Sequence, residues 1–187
     1  MKTTPLLLLP GLLCDEALWA HQIKSLKDIA DCLVGDLTQL ENMPAIARTV
    51  LAKAPPSFAL AGLSMGGYVA FEIMRVAPER VTRLCLLDTS ARPDTPEQQH
   101  RRQLLMKLSR EGQFKGVTPR LLPVLVHTSR LKDESLTDVI FGMAGRIGRE
   151  GFIRQQTAIM NRADSRPLGR KPTPHQVAYF FRLFEGG

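Results

Sequence analysis

The chemistry this sequence can do is concentrated in Gly62-Leu63-Ser64-Met65-Gly66-Gly67. These residues follow an apolar run at 58–61 with strand character. They open a stretch over 66–77 with helical spacing that Pro78 stops. Glycines two places either side of a serine say little alone, but between a strand and a helix they have a mechanical meaning. A sharp turn there holds the serine in a strained backbone conformation. Side chains at 62 and 66 would strike neighbouring backbone, so glycine fits both. The hydroxyl then stands at the strand's carboxyl end, facing the first amides of the helix, which stabilise an oxyanion placed there. The competing reading is a glycine-rich turn with a capping serine. The first implies nucleophilic attack by Ser64 on an acyl carbon through an acyl-enzyme.

A serine hydroxyl needs a base, and four histidines are available. His21 falls in the first helical stretch beside Trp19, and His100 and His127 fall in a helix-rich segment. His175 is the histidine of the C-terminal tail and the candidate base, with a cap role as its alternative. For the acid, Asp88 ends the strand that follows the serine's helix, the edge at which open α/β sheets build their sites. Its alternative role is to cap the turn through Thr89-Ser90-Ala91. Asp94 and Asp164 are further candidates. No cluster of metal-ligand type is present, and no cofactor is expected.

The elements that must position these residues alternate at βαβ spacing. Strands are predicted at 5–9, 31–35, 57–61 and 81–87, and helices at 16–27, 44–54 and 66–77. The run of leucines at 6–9 reads as a strand covered on both faces. Beyond Asp88 helical patterns dominate, with helices predicted at 96–111, 133–147 and 150–163. Residues 162–174 hold three prolines and read as a linker, and 175–184 as a short amphipathic helix. The fold class is α/β: a mainly parallel open sheet of about four to six strands, helices on both faces, and a helical cap. The divisions are a core over 1–95, a cap over 96–168 and a basic tail over 169–187. Apolar cap residues (Leu121, Leu122, Val124, Leu125, Ile140, Phe141, Met143) either shape an acyl pocket or build the cap's own core.

Charge is unevenly placed. Residues 1–100 carry 9 Lys+Arg against 11 Asp+Glu, and residues 101–187 carry 16 against 7, so the whole net charge of +7 comes from the second half. Such asymmetry marks either an anionic-polymer surface or a solvated helical face. No aromatic-interleaved basic motif accompanies it, so no nucleic-acid partner is expected. Cys14, Cys32 and Cys85 are odd in number and form no Cys-x-x-Cys pair, as suits free thiols in a reducing compartment. Pro10-Gly11 breaks the leucine run too early for a signal peptide, and no apolar stretch is long enough to cross a bilayer. The expectation is a cytoplasmic protein that does not engage membranes.

Leu6-Leu7-Leu8-Leu9-Pro10-Gly11-Leu12-Leu13-Cys14 and the Ser64 segment together resemble the α/β-hydrolase superfamily, in particular its small esterase and acyltransferase-like members with a helical cap. The resemblance covers residues 5–90 well and extends loosely to about Leu168. It implies that the N–H groups of Leu12 and Met65 form the oxyanion hole. Many relatives have His-Gly where this chain has Pro10-Gly11, a change that leaves backbone donors in place. The family continues with two more strands that carry its aspartate and histidine. Residues 169–187 are too short for them, so the chain is expected to stop before that segment, truncated at the C-terminus and lacking the last family strands. The implied activity is hydrolysis of small carboxylic esters; the alternative is a catalytically impaired remnant acting by binding or assembly. An uncovered strand at 81–87 would make a sticky sheet edge, so a homo-oligomer is expected.

Overall fold

The computed structural model describes residues 3–112, 114–170 and 178–181. Five strands, β1 (Thr4–Leu9), β2 (Ala30–Val34), β3 (Phe58–Leu63), β4 (Val81–Leu87) and β5 (Ala178–Phe181), form one sheet in the order β2-β1-β3-β4-β5. Every pairing is parallel. β1 lies between β2 and β3, and this explains its composition. Leu7 and Leu9 join the core on one face of the sheet, Leu8 the core on the other, and all three are buried. Burial of each such side chain contributes about 1.5–3 kcal/mol, so an unbroken apolar strand is stable here and nowhere at the surface.

Two helices, α2 (Met43–Lys53) and α3 (Met65–Val76), cover one face. Ile46, Val50, Val69 and Ile73 recur at helical spacing and pack with Leu7, Leu9, Leu60 and Leu86. Asn42 caps α2 by accepting from the Ala45 N–H at 3.1 Å, and Pro44 occupies its first turn. Arg80 closes the other end, donating to the carbonyls of Leu51, Ala54, Pro55 and Pro56 at 2.8–3.2 Å. On the opposite face a 3-10 turn (Glu16–Trp19) runs into α1 (Ala20–Leu26), with Trp19 buried on Leu8 and Ala61. The sequence predicts one helix over 16–27. Asp15 accepts from the Ala17 N–H and tightens the first turn into 3-10 form.

α4 (Pro96–Glu111) begins with a capping box between Thr95 and Gln98. α5 (Glu134–Met160) is broken at Gly148, whose φ of 67° interrupts the helical ladder where two helices are predicted. α4 and α5 are joined by Asp94. Its side chain, 1% exposed, accepts from Arg102 Nε at 2.6 Å and Arg162 Nη1 at 2.7 Å. Arg102 also reaches Gln156, and the Arg162 guanidinium stacks 4.2 Å above the Tyr68 ring. The buried aspartate thus anchors the cap helices to α3.

The helix predicted at 175–184 is corrected for its described part: residues 178–181 form β5, with Leu84 to Leu87 in register with Ala178 to Phe181. Ala-Tyr-Phe-Phe has strong strand preference, and the unpaired ladder of β4 is available to it. The edge of β4 that motivated a homo-oligomer is therefore paired within the chain. Among the described residues no helix is long and apolar enough to cross a membrane.

Candidate active site

β3 runs into α3 through Ser64, whose φ of 51° and ψ of −110° lie outside the regions that a non-glycine residue adopts without strain. The surrounding glycines explain how the turn stays that sharp. A Cβ on Gly62 would lie 2.5 Å from the Gly66 carbonyl oxygen. One on Gly66 would lie 2.1 Å from the Leu9 oxygen and 2.8 Å from the Pro10 oxygen. One on Gly67 would strike Thr89 Oγ1 at 2.4 Å. The serine's own peptide groups are held firmly. Its N–H donates to the Leu87 carbonyl at 2.9 Å, and its carbonyl accepts from Thr89 Oγ1 at 2.8 Å and the Gly67 N–H at 3.0 Å. In a trans peptide the N–H points opposite to the C=O. Thr89 and Gly67 therefore aim the Met65 N–H away from the Ser64 carbonyl. As the first residue of α3, Met65 has no intrahelical acceptor for that N–H.

The loop after β1 lies against the elbow, since a Cβ on Gly11 would be 3.7 Å from Ser64 Cβ. Gly11 to Cys14 form a turn in which the Cys14 N–H donates to the Gly11 carbonyl at 3.1 Å and Leu13 takes φ 58°. The Leu12 N–H has no hydrogen-bond partner among the described residues. Leu12 and Met65, the two donors implied by the resemblance, thus both present unengaged amides beside the elbow. The α5 helix holds the turn down. Leu13 packs with Ala144 and Phe152, its N–H donates to Gln155 Oε1 at 3.0 Å, and Arg146 pairs with Asp15 at 2.7 Å. The hydrogen bonds from Arg146 hold the Asp15 carboxyl below the usual carboxylate range. Burial pushes the Cys14 thiol up to about 11, so it is a neutral neighbour of the site.

The proton-transfer candidates are less well brought together. Ser64 Oγ has no hydrogen-bond partner among the described residues. His21, His100 and His127 are exposed, and His127 Nδ1 is engaged with Ser129. His175 lies outside the described residues. Asp88 has φ 42° and an exposed carboxylate with no partner among the described residues. It sits between Leu87 and Thr89, both of which bond the Ser64 backbone. The turn that it was alternatively expected to cap is closed instead by Ser90, which accepts from the Arg92 N–H at 3.2 Å. Asp94 is consumed by its two arginines, and Asp164 binds Arg166 in a surface turn that lowers its pKa to about 2. Of the apolar cap residues, Leu122 and Met143 are buried, whereas Leu121, Val124 and Leu125 are exposed. A cavity of about 120 Å³ between β2 and α2 is lined by neither Ser64 nor Leu12.

No protein-family model matches the chain, and no curated protein does. Solved structures do. A thermophilic esterase from Thermogutta terrifontis superposes with a TM-score of 0.75 at 28% identity, over 89% of this chain and 67% of its own. The chain belongs to the α/β-hydrolase superfamily. The enol-lactonase from Burkholderia xenovorans LB400 has the same fold, with a TM-score of 0.79 at 19% identity over 97% of this chain and 83% of the lactonase. An α/β-hydrolase from a deep-sea metagenome library superposes with a TM-score of 0.68 at 11% identity, over 90% of this chain and 67% of its own. This α/β-hydrolase therefore spans about two thirds of the Thermogutta esterase.

Two residues that the sequence does not single out emerge here. Thr89 lies 25 residues from Ser64 and Gln155 lies 142 from Leu13, and neither contact has a local signature. Gln155 did carry one usable sign. It is a polar side chain one helical turn from Phe152 and from Ile159, on the buried side of α5.

Proposed function

We propose that this α/β-hydrolase cleaves small carboxylic esters through an acyl-enzyme on Ser64. The observation that carries the reading is the strained φ of Ser64 beside two unengaged amides. In the first step Ser64 Oγ bonds to the acyl carbon, its proton passes to a base, and the negative oxygen is held by the N–H groups of Leu12 and Met65. Collapse breaks the ester C–O bond, the base returns its proton to the departing oxygen, and the neutral alcohol leaves. Water repeats the sequence on the acyl-enzyme, releasing the acid and restoring the serine. An esterase and an enol-lactonase among the structural neighbours support an ester-type substrate. His175 is the proposed base, because the other three histidines are exposed and none of them hydrogen-bonds Ser64. Asp88 is the proposed acid, flanked as it is by the two residues that bond the Ser64 backbone.

The second reading is a catalytically impaired member of the superfamily that works by binding or assembly. It is favoured by the Ser64 hydroxyl, which has no hydrogen-bond partner among the described residues. Turnover of p-nitrophenyl butyrate separates the two: hydrolysis lost in Ser64→Ala and strongly reduced in His175→Ala supports the enzyme. Absence of turnover in the unaltered chain supports the second reading. Triad-deficient serine hydrolases keep ~10³–10⁴-fold catalysis over water, so the assay is run at high enzyme concentration.

A further inference from the structure

β2 ends the sheet on its side, and its outer edge is unpaired among the described residues. Such an edge is a template for another strand. Two hydrogen bonds fix which of its peptide groups are free. The Thr4 N–H donates to the Ile29 carbonyl and the Gly35 N–H to the Leu8 carbonyl, each at 2.9 Å. In a parallel ladder that starts and ends this way, residues 29, 31, 33 and 35 bond β1, so the N–H and C=O of Ala30, Cys32 and Val34 point outward. Side chains alternate as well. Cys32 and Val34 pack on the α1 side with Trp19 and Leu8, whereas Leu33 lies in register with Leu7 on the α2 side.

The α2 side of this edge carries both a gap and a surplus. The cavity of about 120 Å³ lies there, lined by Leu7, Leu33, Gly35, Ile46, Val50 and Lys53 among others. Gly35 has no side chain to fill it. An apolar cavity of about 150 Å³ holds benzene, so this one has room for a four-carbon side chain. Ile29, which alternates with Leu33 onto the same side, is 63% exposed. It lies about 20 Å along the strand from Gly35, too far to fill the gap in its own chain.

A second copy brings the two together. Antiparallel pairing of β2 with itself about a two-fold axis at Cys32 sets Ala30 against Val34 and Cys32 against Cys32, so every outward peptide group of the strand is satisfied. The same register sets Ile29 of each copy opposite Gly35 of the other, in a pair whose Cα atoms approach to about 4.5 Å. Asp31 comes opposite Leu33, at the cavity that Lys53 also lines, which brings a carboxylate of one copy toward an ammonium of the other. An axis at Asp31 would set the two Asp31 carboxylates against each other. An axis at Leu33 would leave Ala30 facing Asp36, beyond the strand.

We infer that the chain forms a two-fold dimer by edge-to-edge pairing of β2, with Ile29 of each copy seated in the cavity beside Gly35 of the other. The sheet continues through the dimer, at the edge opposite to the one that the sequence suggested. The inference does not depend on the Ser64 reading.

Light scattering after size-exclusion chromatography is expected to give twice the 20.8 kDa chain mass at micromolar concentration. Ile29→Lys replaces an exposed side chain, so the monomer stays folded. Dimer affinity is expected to weaken about 100-fold in this variant, because both isoleucines leave their cavities. Residue-resolved hydrogen exchange reads the edge itself. In the dimer the Cys32 and Val34 amides are protected together with those of Asp31 and Leu33. In Ile29→Lys, or on dilution, Cys32 and Val34 exchange at least about tenfold faster, while Asp31 and Leu33, bonded to β1, stay protected. A monomer at micromolar concentration leaves the edge to another partner and overturns the inference. So does a dimer that persists undiminished in Ile29→Lys, or one whose Cys32 and Val34 amides exchange freely.

Discussion

Thr89 Oγ1 donates a 2.8 Å hydrogen bond to the carbonyl of Ser64, and through that one bond the end of β4 fixes the direction of the Met65 N–H. The sheet thus does more than present the serine. It also orients the peptide group next to it.

Thr89→Val keeps the shape of the side chain and removes the donor. Acylation of Ser64 is expected to fall about 10–100-fold, below the full cost of an oxyanion donor because the Gly67 N–H still holds the carbonyl. Thermal stability should change by about 1 kcal/mol, the usual worth of one such bond. Thr89→Ser should act like the unaltered chain. Stopped-flow burst kinetics with p-nitrophenyl butyrate reads the difference. Equal bursts in the valine variant would remove Thr89 from the site.

Gly66→Ala tests the elbow sterically. The added methyl would stand 2.1 Å from the Leu9 carbonyl oxygen, and neither backbone segment is free to withdraw. Destabilisation above about 3 kcal/mol is expected, of the size that marks a named structural fault. Gly145→Ala, with open space around its added carbon, is the control and should be neutral or slightly stabilising by helix propensity. Urea denaturation of both variants gives the comparison.

How much of this was legible in the sequence depended on how local each constraint is. The four leucines of β1 announced a central strand because burial on both faces permits no polar residue. The elbow could be read because part of its constraint is local: a side chain on Gly62 would strike the backbone of Gly66, four residues on, whereas the collision that Gly66 avoids, with Leu9 and Pro10, is long-range. The break in α5 was legible only as two predicted helices, since a positive φ at Gly148 has no spacing signature. Thr89 and Gln155 escaped notice because their partners are distant in sequence and an isolated threonine or glutamine has many uses. The segment at 178–181 was misread because four aromatic-rich residues satisfy strand and helix patterns alike, and the free edge of β4 decides between them.

Asp94 separates stability from chemistry. Asp94→Asn removes the charge that faces Arg102 and Arg162 and leaves two cations without a counter-charge in a mostly buried place. Loss of one partner from a buried pair costs about 3–5 kcal/mol, and a value near 3 is expected here because Arg102 is partly exposed. The labelling rate of Ser64 at a temperature where the variant is folded should be unchanged. Calorimetry with a parallel labelling assay checks both; a labelling defect in fully folded protein would restore Asp94 as a candidate acid.

Cys14 carries a pH signature. Its folded thiol ionises near 11 because burial disfavours the thiolate, against an ordinary value of 9.0. At pH 8 only about one thiol in 10³ is ionised in the folded chain and about one in ten when unfolded. Alkylation of Cys14 by iodoacetamide should therefore speed up about 100-fold in urea. The linkage has a definite sign: unfolding releases a proton between the two values, so this group lowers stability as pH rises from about 9 to 11 and has no effect below. Mass spectrometry of the Cys14 peptide against time and pH reads the reactivity.

The most direct test of the whole account is to treat the native chain with a fluorophosphonate and find the modified residue by peptide mass spectrometry. The expected result is a single adduct on Ser64, formed by folded protein, lost on unfolding and absent from Ser64→Ala. An unlabelled Ser64 in folded protein, or adducts spread over several serines at equal rates, would contradict it.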